Sequence, residues 1–192
     1  MYIFRKHCIY EKIIGSTCRQ SSLYKMKRIG LLSDTHSYLD EKVFKYFEEC
    51  DEIWHAGDIG TVELADQLEA FKPLRAVYGN IDGADLRQRY PLNQRFDCEG
   101  LDVWITHIGG YPGRYDKRIR EDIRKNPPGL FITGHSHILK VMPDKKLKLL
   151  HMNPGACGVH GFHHVKTLLR FSVHEGQILE VQAIEIGKRG AV

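Results

Sequence analysis

Apolar positions along this chain fall into two rhythms. Short runs stop at small or polar residues: Arg28-Ile-Gly-Leu-Leu-Ser33, Asp51-Glu-Ile-Trp-His55, Leu74-Arg-Ala-Val-Tyr78, Val103-Trp-Ile-Thr106 and Leu130-Phe-Ile-Thr133. Each is too short for a helix and reads as a buried strand. Between the first three lie helical patterns. Residues 41–50 carry Val43, Phe44 and Phe47 on one face, and residues 62–71 carry Leu64, Leu68 and Phe71. Strand–helix–strand alternation of this kind predicts an α/β fold. Towards the end, residues 171–181 read as two antiparallel strands turning at Glu175-Gly176. A further hairpin turn is expected at Pro143-Asp-Lys, inside a cluster formed by Lys145, Lys146 and Lys148. Residues 114–125 read as a basic helix between Gly113 and Pro127, with Glu121 and Asp122 pairing along a solvated face. The same basic residues also allow an electropositive rim for phosphates.

The residues just past the strand ends are chemically distinctive. Asp34 and His36 come just after the first strand, Asp58 after the second and Asn80 after the third. His107 comes after the fourth, and His135 and His137 after the fifth. In α/β folds, sites gather at the carboxyl ends of strands. The seven residues supply carboxylate and amide oxygens and neutral imidazole nitrogens, enough for two metal ions. Mixed N/O sets suit transition metals better than calcium or magnesium. No cysteine is among them, which argues against a closed thiolate zinc site. Two neighbouring ions are a common device for hydrolysing phosphate esters. Asp58, central in the series, is the candidate bridge, because each carboxylate oxygen can serve a different ion. Gly57, Gly79 and Gly134 are expected to let the backbone turn so that the next side chain faces a cleft.

The ordered set Asp-x-His, Gly-Asp, Gly-Asn, Thr-His and Gly-His-x-His resembles the calcineurin-like metallophosphoesterases over roughly residues 26–186. With the run Gly79-Asn-Ile-Asp82, it is similar to their small bacterial and archaeal phosphodiesterase branch. The resemblance implies a four-layer αββα sandwich, with two mixed sheets face to face and helices outside. It implies one ion held by Asp34, His36, Asp58 and His137, and a second held by Asp58, Asn80, His107 and His135. A hydroxide shared by both would attack phosphorus. Asp58, Asn80 and His135 are then the expected catalytic residues, and Asp82 is expected behind them, orienting a ligand histidine. Manganese is the expected metal, with iron, zinc, nickel or cobalt as alternatives. A small phosphodiester is the expected substrate, and a homodimer or homotetramer is compatible with such domains.

The chain also departs from that pattern. Many superfamily members place a histidine after the motif asparagine to assist the leaving group, whereas this chain has Ile81. An aliphatic side chain cannot donate a proton, a contribution typically of about 10²–10⁴-fold. Its absence disfavours a phosphomonoesterase, the rival enzymatic reading, and is shared by the small branch. A retromer scaffold subunit has the same fold with a degraded metal site, but here all seven ligands are present. Asn153-Pro-Gly155 matches a family turn near the site, and His160, His163 and His164 come after it as candidate substrate contacts. His55, His151 and His174 are expected to be structural, His55 lying close enough to Asp58 to support it.

At 192 residues the chain is long enough for one domain with a substantial core. No apolar stretch approaches the roughly 20 residues needed to cross a bilayer. Five cysteines, at 8, 18, 50, 98 and 157, show no paired spacing and fit reduced thiols in a cytoplasm. The formal charge is +4, the same as that of residues 1–25 alone, so residues 26–192 balance to zero. A neutral domain does not advertise nucleic-acid binding. Residues 1–25 are expected to be a basic extension, with the phosphoesterase domain at 26–192 and Met26 as the native start.

Overall fold

The computed structural model describes residues 25–190. The expectations about the basic extension and its boundary at Met26, and Cys8 and Cys18, lie outside the described residues. The elements in order are β1 (Lys27–Leu32), α1 (Lys42–Phe47), β2 (Glu52–His55), α2 (Val62–Phe71), β3 (Leu74–Ala76) and α3 (Ala84–Arg89). They continue with β4 (Asn93–Cys98), β5 (Leu101–Thr106), β6 (Gly110–Tyr111), β7 (Arg114–Tyr115), α4 (Arg120–Lys125) and β8 (Leu130–Ile132). The last four are β9 (Leu139–Asp144), β10 (Leu149–Pro154), β11 (Val165–His174) and β12 (Gln177–Lys188).

Two mixed five-stranded sheets result, ordered β12-β11-β1-β2-β3 and β4-β5-β8-β10-β9, beside the small hairpin β6-β7. In the first sheet β1, β2 and β3 are parallel, and β11 returns antiparallel to β1. In the second, β5, β8 and β10 are parallel, flanked by antiparallel β4 and β9.

Side-chain alternation along each strand dictates the layering. Ile29, Leu31 and Trp54 of the first sheet meet Val103, Ile105, Leu130 and Ile132 of the second in one buried cluster. Their sequence neighbours point the other way. Leu32 and Ile53 pack under α1, α2 and α3 with Val43, Phe47, Leu64, Leu68 and Leu86. Trp104 and Phe131 pack under α4 with Ile119 and Ile123. Helix, sheet, sheet and helix therefore stack in the expected four layers. Gly30 fits this plan sterically, because a Cβ there would strike the Phe47 ring, 2.6 Å away, that seats α1 on the sheet.

Local signals explain most boundaries. Thr61 caps α2, its Oγ1 accepting the Leu64 N–H at 3.3 Å. At the end of α1 the expected helix stops early: Cys50 N–H bonds to Phe47 O at 3.0 Å, a tighter turn that leads directly into β2. The expected basic helix 114–125 is not one element. Arg114 and Tyr115 form β7, with Gly113 at φ +86° in the turn, and the helix begins only at Arg120. Tyr115, Ile119 and Ile123 bury against the second sheet, and this packing overrides the continuous helical pattern. The turn at 175–176 falls where the sequence places it, whereas the one expected at Pro143-Asp-Lys145 lies later, at 145–148, because Pro143 and Asp144 still pair with Leu150 and Leu149 as the end of β9.

Candidate metal centre

All seven predicted ligands lie just beyond the carboxyl ends of parallel strands, on loops after β1, β2, β3, β5 and β8. Five of them adopt left-handed backbone conformations: Asp34 (φ 55°), His36 (47°), Asp58 (55°), His135 (66°) and His137 (57°). Such conformations are uncommon for non-glycine residues and cluster at functional sites, where the surroundings must hold them in place. Here the loops are laced together by backbone hydrogen bonds. Asp34 N–H donates to Gly57 O and His36 N–H to Asp58 O, both at 3.0 Å, and Gly134 N–H donates to His107 O at 3.0 Å.

The ligating atoms converge in two groups. Asp34, His36 and His137 form one, and Asp58, His107 and His135 the other, with the ligand atoms of each group all within 4.8 Å of one another. His137 Nε2 lies 3.2 Å from Asp34 Oδ1. Asp58 Oδ2 lies 3.2 Å from His107 Nε2 and 3.6 Å from His36 Nε2, so this one carboxylate reaches both groups. Asn80 Oδ1 joins the second group, 3.2 Å from His107 Nε2.

Hydrogen bonding prepares these atoms for cations. His107 Nδ1 donates to Ala56 O at 2.8 Å, which turns the Nε2 lone pair towards Asp58 and Asn80. A ligand histidine anchored through its other nitrogen to a carbonyl is the usual supporting arrangement at metal sites. His36 Nε2 is buried and has no hydrogen-bond partner among the described residues. Acceptors turned towards one another, with one left orphaned, are the arrangement a bound cation requires.

Electrostatics agree. Burial works against a charge on His107, but the facing Asp58 carboxylate, which would accept a proton on Nε2, and the nearby Asp34 outweigh it, and its pKa is raised. Burial likewise opposes ionisation of Asp58, yet contact with His107 leaves its carboxyl below the usual range. A field that favours a proton here favours a metal cation. Burial depresses His36 and His135, keeping their rings neutral as ligands must be.

The glycines act partly as expected. Gly57 has φ +94°, but Gly79 and Gly134 have no positive φ. They are needed for space: a Cβ on Gly79 would overlap the Asp58 carboxylate, and one on Gly134 would overlap Ser33 Oγ. Asp82 also departs from expectation. Its carboxylate accepts the N–H groups of Gly60 at 2.8 Å and Gly79 at 2.7 Å, and no ring nitrogen is among its bonds. It ties the Asp58 loop to the Asn80 loop instead of orienting a histidine.

Other supporting residues are only partly signalled by the sequence. His55 is fully buried and accepts the Gly57 N–H on Nδ1 at 3.1 Å, so its Nε2–H donates to Thr35 Oγ1 at 2.9 Å. Thr35 Oγ1–H donates in turn to Ile59 O at 3.0 Å. This relay pins the Asp34–His36 loop to the Asp58 loop. Burial, opposed by Asp82 and Asp34, holds the His55 pKa down to about 4, consistent with a neutral ring. Asn153 does the same for the last loop, its Nδ2 donating to Gly134 O at 2.8 Å and Ser136 Oγ at 3.1 Å. His151 bonds Thr133 Oγ1, and His174 sits at a strand end beside Glu175. Of the late histidines, His160 lies 5.8 Å ring to ring from His36 and His163 lies 5.3 Å from His137. His164 is exposed.

The model of the calcineurin-like phosphoesterase superfamily domain matches residues 26–176. The chain belongs to this superfamily. It is 30% identical over 135 residues to a probable metallophosphoesterase of Methanothermobacter thermautotrophicus, covering 67% of this chain and 76% of that protein. Among solved structures it superposes on an archaeal phosphodiesterase with a TM-score of 0.66 at 22% identity, covering 83% of this chain and 99% of the other. It is similarly close to Vps29 of Entamoeba histolytica in complex with zinc, with a TM-score of 0.65 at 13% identity, covering 85% and 99%. At these identities both structures speak for the fold alone. The chain thus combines the domain of a metallophosphoesterase superfamily with two groups of residues that could each hold a metal ion. No helix among the described residues is long and apolar enough to cross a membrane.

Proposed function

We propose that the protein hydrolyses phosphodiesters with two divalent transition-metal ions bound at the carboxyl ends of the strands. The carrying observation is the position of Asp58, whose Oδ2 lies within 3.6 Å of a histidine from each ligand group. Asp34, His36 and His137 would hold one ion with Asp58, and Asn80, His107 and His135 the other. Bound there, the ions would supply Lewis acidity towards the phosphoryl oxygens and a lowered pKa for an attacking water. Asn80 brings a ligand oxygen without the negative charge that would repel an anionic substrate. Manganese is the ion the family resemblance puts first; the N/O donor set itself suits iron, zinc, nickel or cobalt as well.

The preference for diesters over monoesters is supported by the shape of the cleft. Two cavities share Ile108 in their walls. One, of about 320 Å³, reaches Asn80 and His107 along Tyr78 and Leu92. The other, of about 350 Å³, reaches His135 along Tyr111 and Ile138. A diester has two organic arms to accommodate, whereas a monoester has one. Ile81 supports the same reading, since an aliphatic side chain, 45% exposed, stands where a leaving-group histidine is common. The complete ligand set favours hydrolysis over a scaffold role.

The test is turnover of bis(p-nitrophenyl) phosphate and p-nitrophenyl phosphate by metal-stripped protein resupplied with each ion in turn. The reading predicts metal-dependent cleavage favouring the diester. Preference for the monoester would sustain the phosphomonoesterase rival. Two bound ions with no cleavage of either ester would count for a scaffold.

A further inference from the structure

The cavity beside His135 does not end at the metal centre. Arg114, on the small β6–β7 hairpin, lines both that cavity and a larger one of about 670 Å³ on its far side. The larger cavity is walled by Arg120, Arg124 and Lys146, against a single lining carboxylate, Asp144. That carboxylate is already engaged. Oδ2 accepts the Tyr115 hydroxyl at 2.7 Å, and Oδ1 accepts the N–H groups of Lys146 and Leu147 at 2.8 and 3.0 Å. Arg120 is held in plane by two bonds to Tyr115 O, at 3.3 and 3.1 Å, which leaves other guanidinium protons free. Among the described residues Arg114 and Lys146 have no carboxylate partner, and Arg124 has only a loose, exposed contact with Glu121 at 3.6 Å. Lys140, in the cavity beside His135, lies over the Tyr111 ring at 3.7 Å and is likewise without a carboxylate partner among the described residues. Asp116, the carboxylate lining the cavity beside His135, is paired with Arg118 at 2.8 Å, so unpaired positive charge runs outward from His135 although residues 26–192 carry no net charge.

We infer that the natural diester carries a further phosphate group, and that this phosphate is held by Arg114, Arg120 and Lys146 while the scissile one sits at the metal centre. This rests on the proposed phosphodiesterase activity and names the substrate class for it: a short diester with a charged terminus, not a neutral-armed one. Arginine suits the task because its planar fork matches phosphate oxygens, and the fixed Arg120 loses little freedom on binding. Arg114, on the hairpin between the cavities, is placed to bridge the two phosphates.

The experiment compares kcat/KM for the thymidine dinucleotide with and without a 5′-phosphate, in the Mn-loaded wild type and in Arg120→Gln/Lys146→Gln. Charge-assisted contacts of this kind predict a preference of about tenfold for the phosphorylated substrate, weakening as salt rises. The preference should fall towards unity in the variant. An equal rate for both substrates in the wild type, or a preference that survives the variant, overturns the inference. If neither dinucleotide nor the nitrophenyl diester is cleaved with any ion, it is the phosphodiesterase reading that fails. Inorganic phosphate titrated onto metal-free protein then decides the anion site separately. Side-chain NMR shifts centred on Arg120 and Lys146 sustain it, and their absence ends it. Lys146→Gln alone, at an exposed turn position, serves if the double variant does not fold.

Discussion

Gly79→Ala separates steric support of the metal centre from backbone preference. Gly79 has no positive φ, so alanine meets no left-handed backbone penalty there. Its added methyl would instead overlap the Asp58 carboxylate oxygen and the Asp58 backbone nitrogen. Because backbone is involved, rotation of the Asp58 side chain cannot relieve the clash. The loop must move, against the Asp82 bonds to Gly60 and Gly79 and the 3.0 Å bond from Ile81 N–H to Asp58 Oδ1. Overpacking of this kind costs about 1–3 kcal/mol. For a domain of this size that is a fall in Tm of about 2–12 °C. A displacement near 1 Å at the bridging carboxylate should cut turnover by about 10²-fold. Thermal unfolding of the metal-free protein reads the first effect, and diester turnover with saturating metal reads the second. Wild-type Tm together with wild-type turnover would refute the claim that Gly79 is there to clear space for Asp58.

Three further perturbations probe other parts of the site. Asp58→Asn should leave the fold intact while reducing bound metal below two ions and removing nearly all turnover, as metal analysis and a diester assay would show. Asp82→Ala leaves two N–H groups without partners and should destabilise by about 2–5 kcal/mol in denaturant unfolding; a loss below 0.5 kcal/mol, on the order of experimental scatter, would contradict the bracing role. Acid should weaken the protein through His151, whose pKa burial lowers from 6.5 to about 4. Between those values the unfolded chain binds a proton that the folded chain refuses, so stability falls as pH drops from 6.5 towards 4 and then levels. The loss is about 3 kcal/mol, and His151→Gln should flatten that part of the pH profile.

Much of the site is legible in the sequence because its chemistry is local. Each ligand comes after a strand whose apolar run is short and unambiguous, as with Leu130-Phe-Ile before Thr133-Gly-His135. The pairing of Asp34 and His36 with His137 depends on two sheets meeting, which no local pattern encodes; family resemblance implies it, and the two ligand groups agree with it. Support made by backbone atoms is not legible. Nothing in Gly-Asn-Ile-Asp82 says that the carboxylate takes the N–H groups of Gly60 and Gly79, because those partners depend on how two loops cross. The helix expected through residues 114–119 fails for a related reason. Tyr115 and Ile119 have helical spacing, but their burial against Phe131 is served equally by a hairpin with a turn after it. The strands β4 and β6, which no hydrophobic pattern marks, are short or half-exposed and carry few apolar residues.

The central claim is that two ions share Asp58, and metal stoichiometry tests it most directly. Metal-stripped protein resupplied with manganese, freed of excess and weighed by native mass spectrometry, should carry two ions per chain, and the same sample should cleave bis(p-nitrophenyl) phosphate. A chain that holds no more than one ion at saturation, yet cleaves the diester at full rate, would contradict the claim.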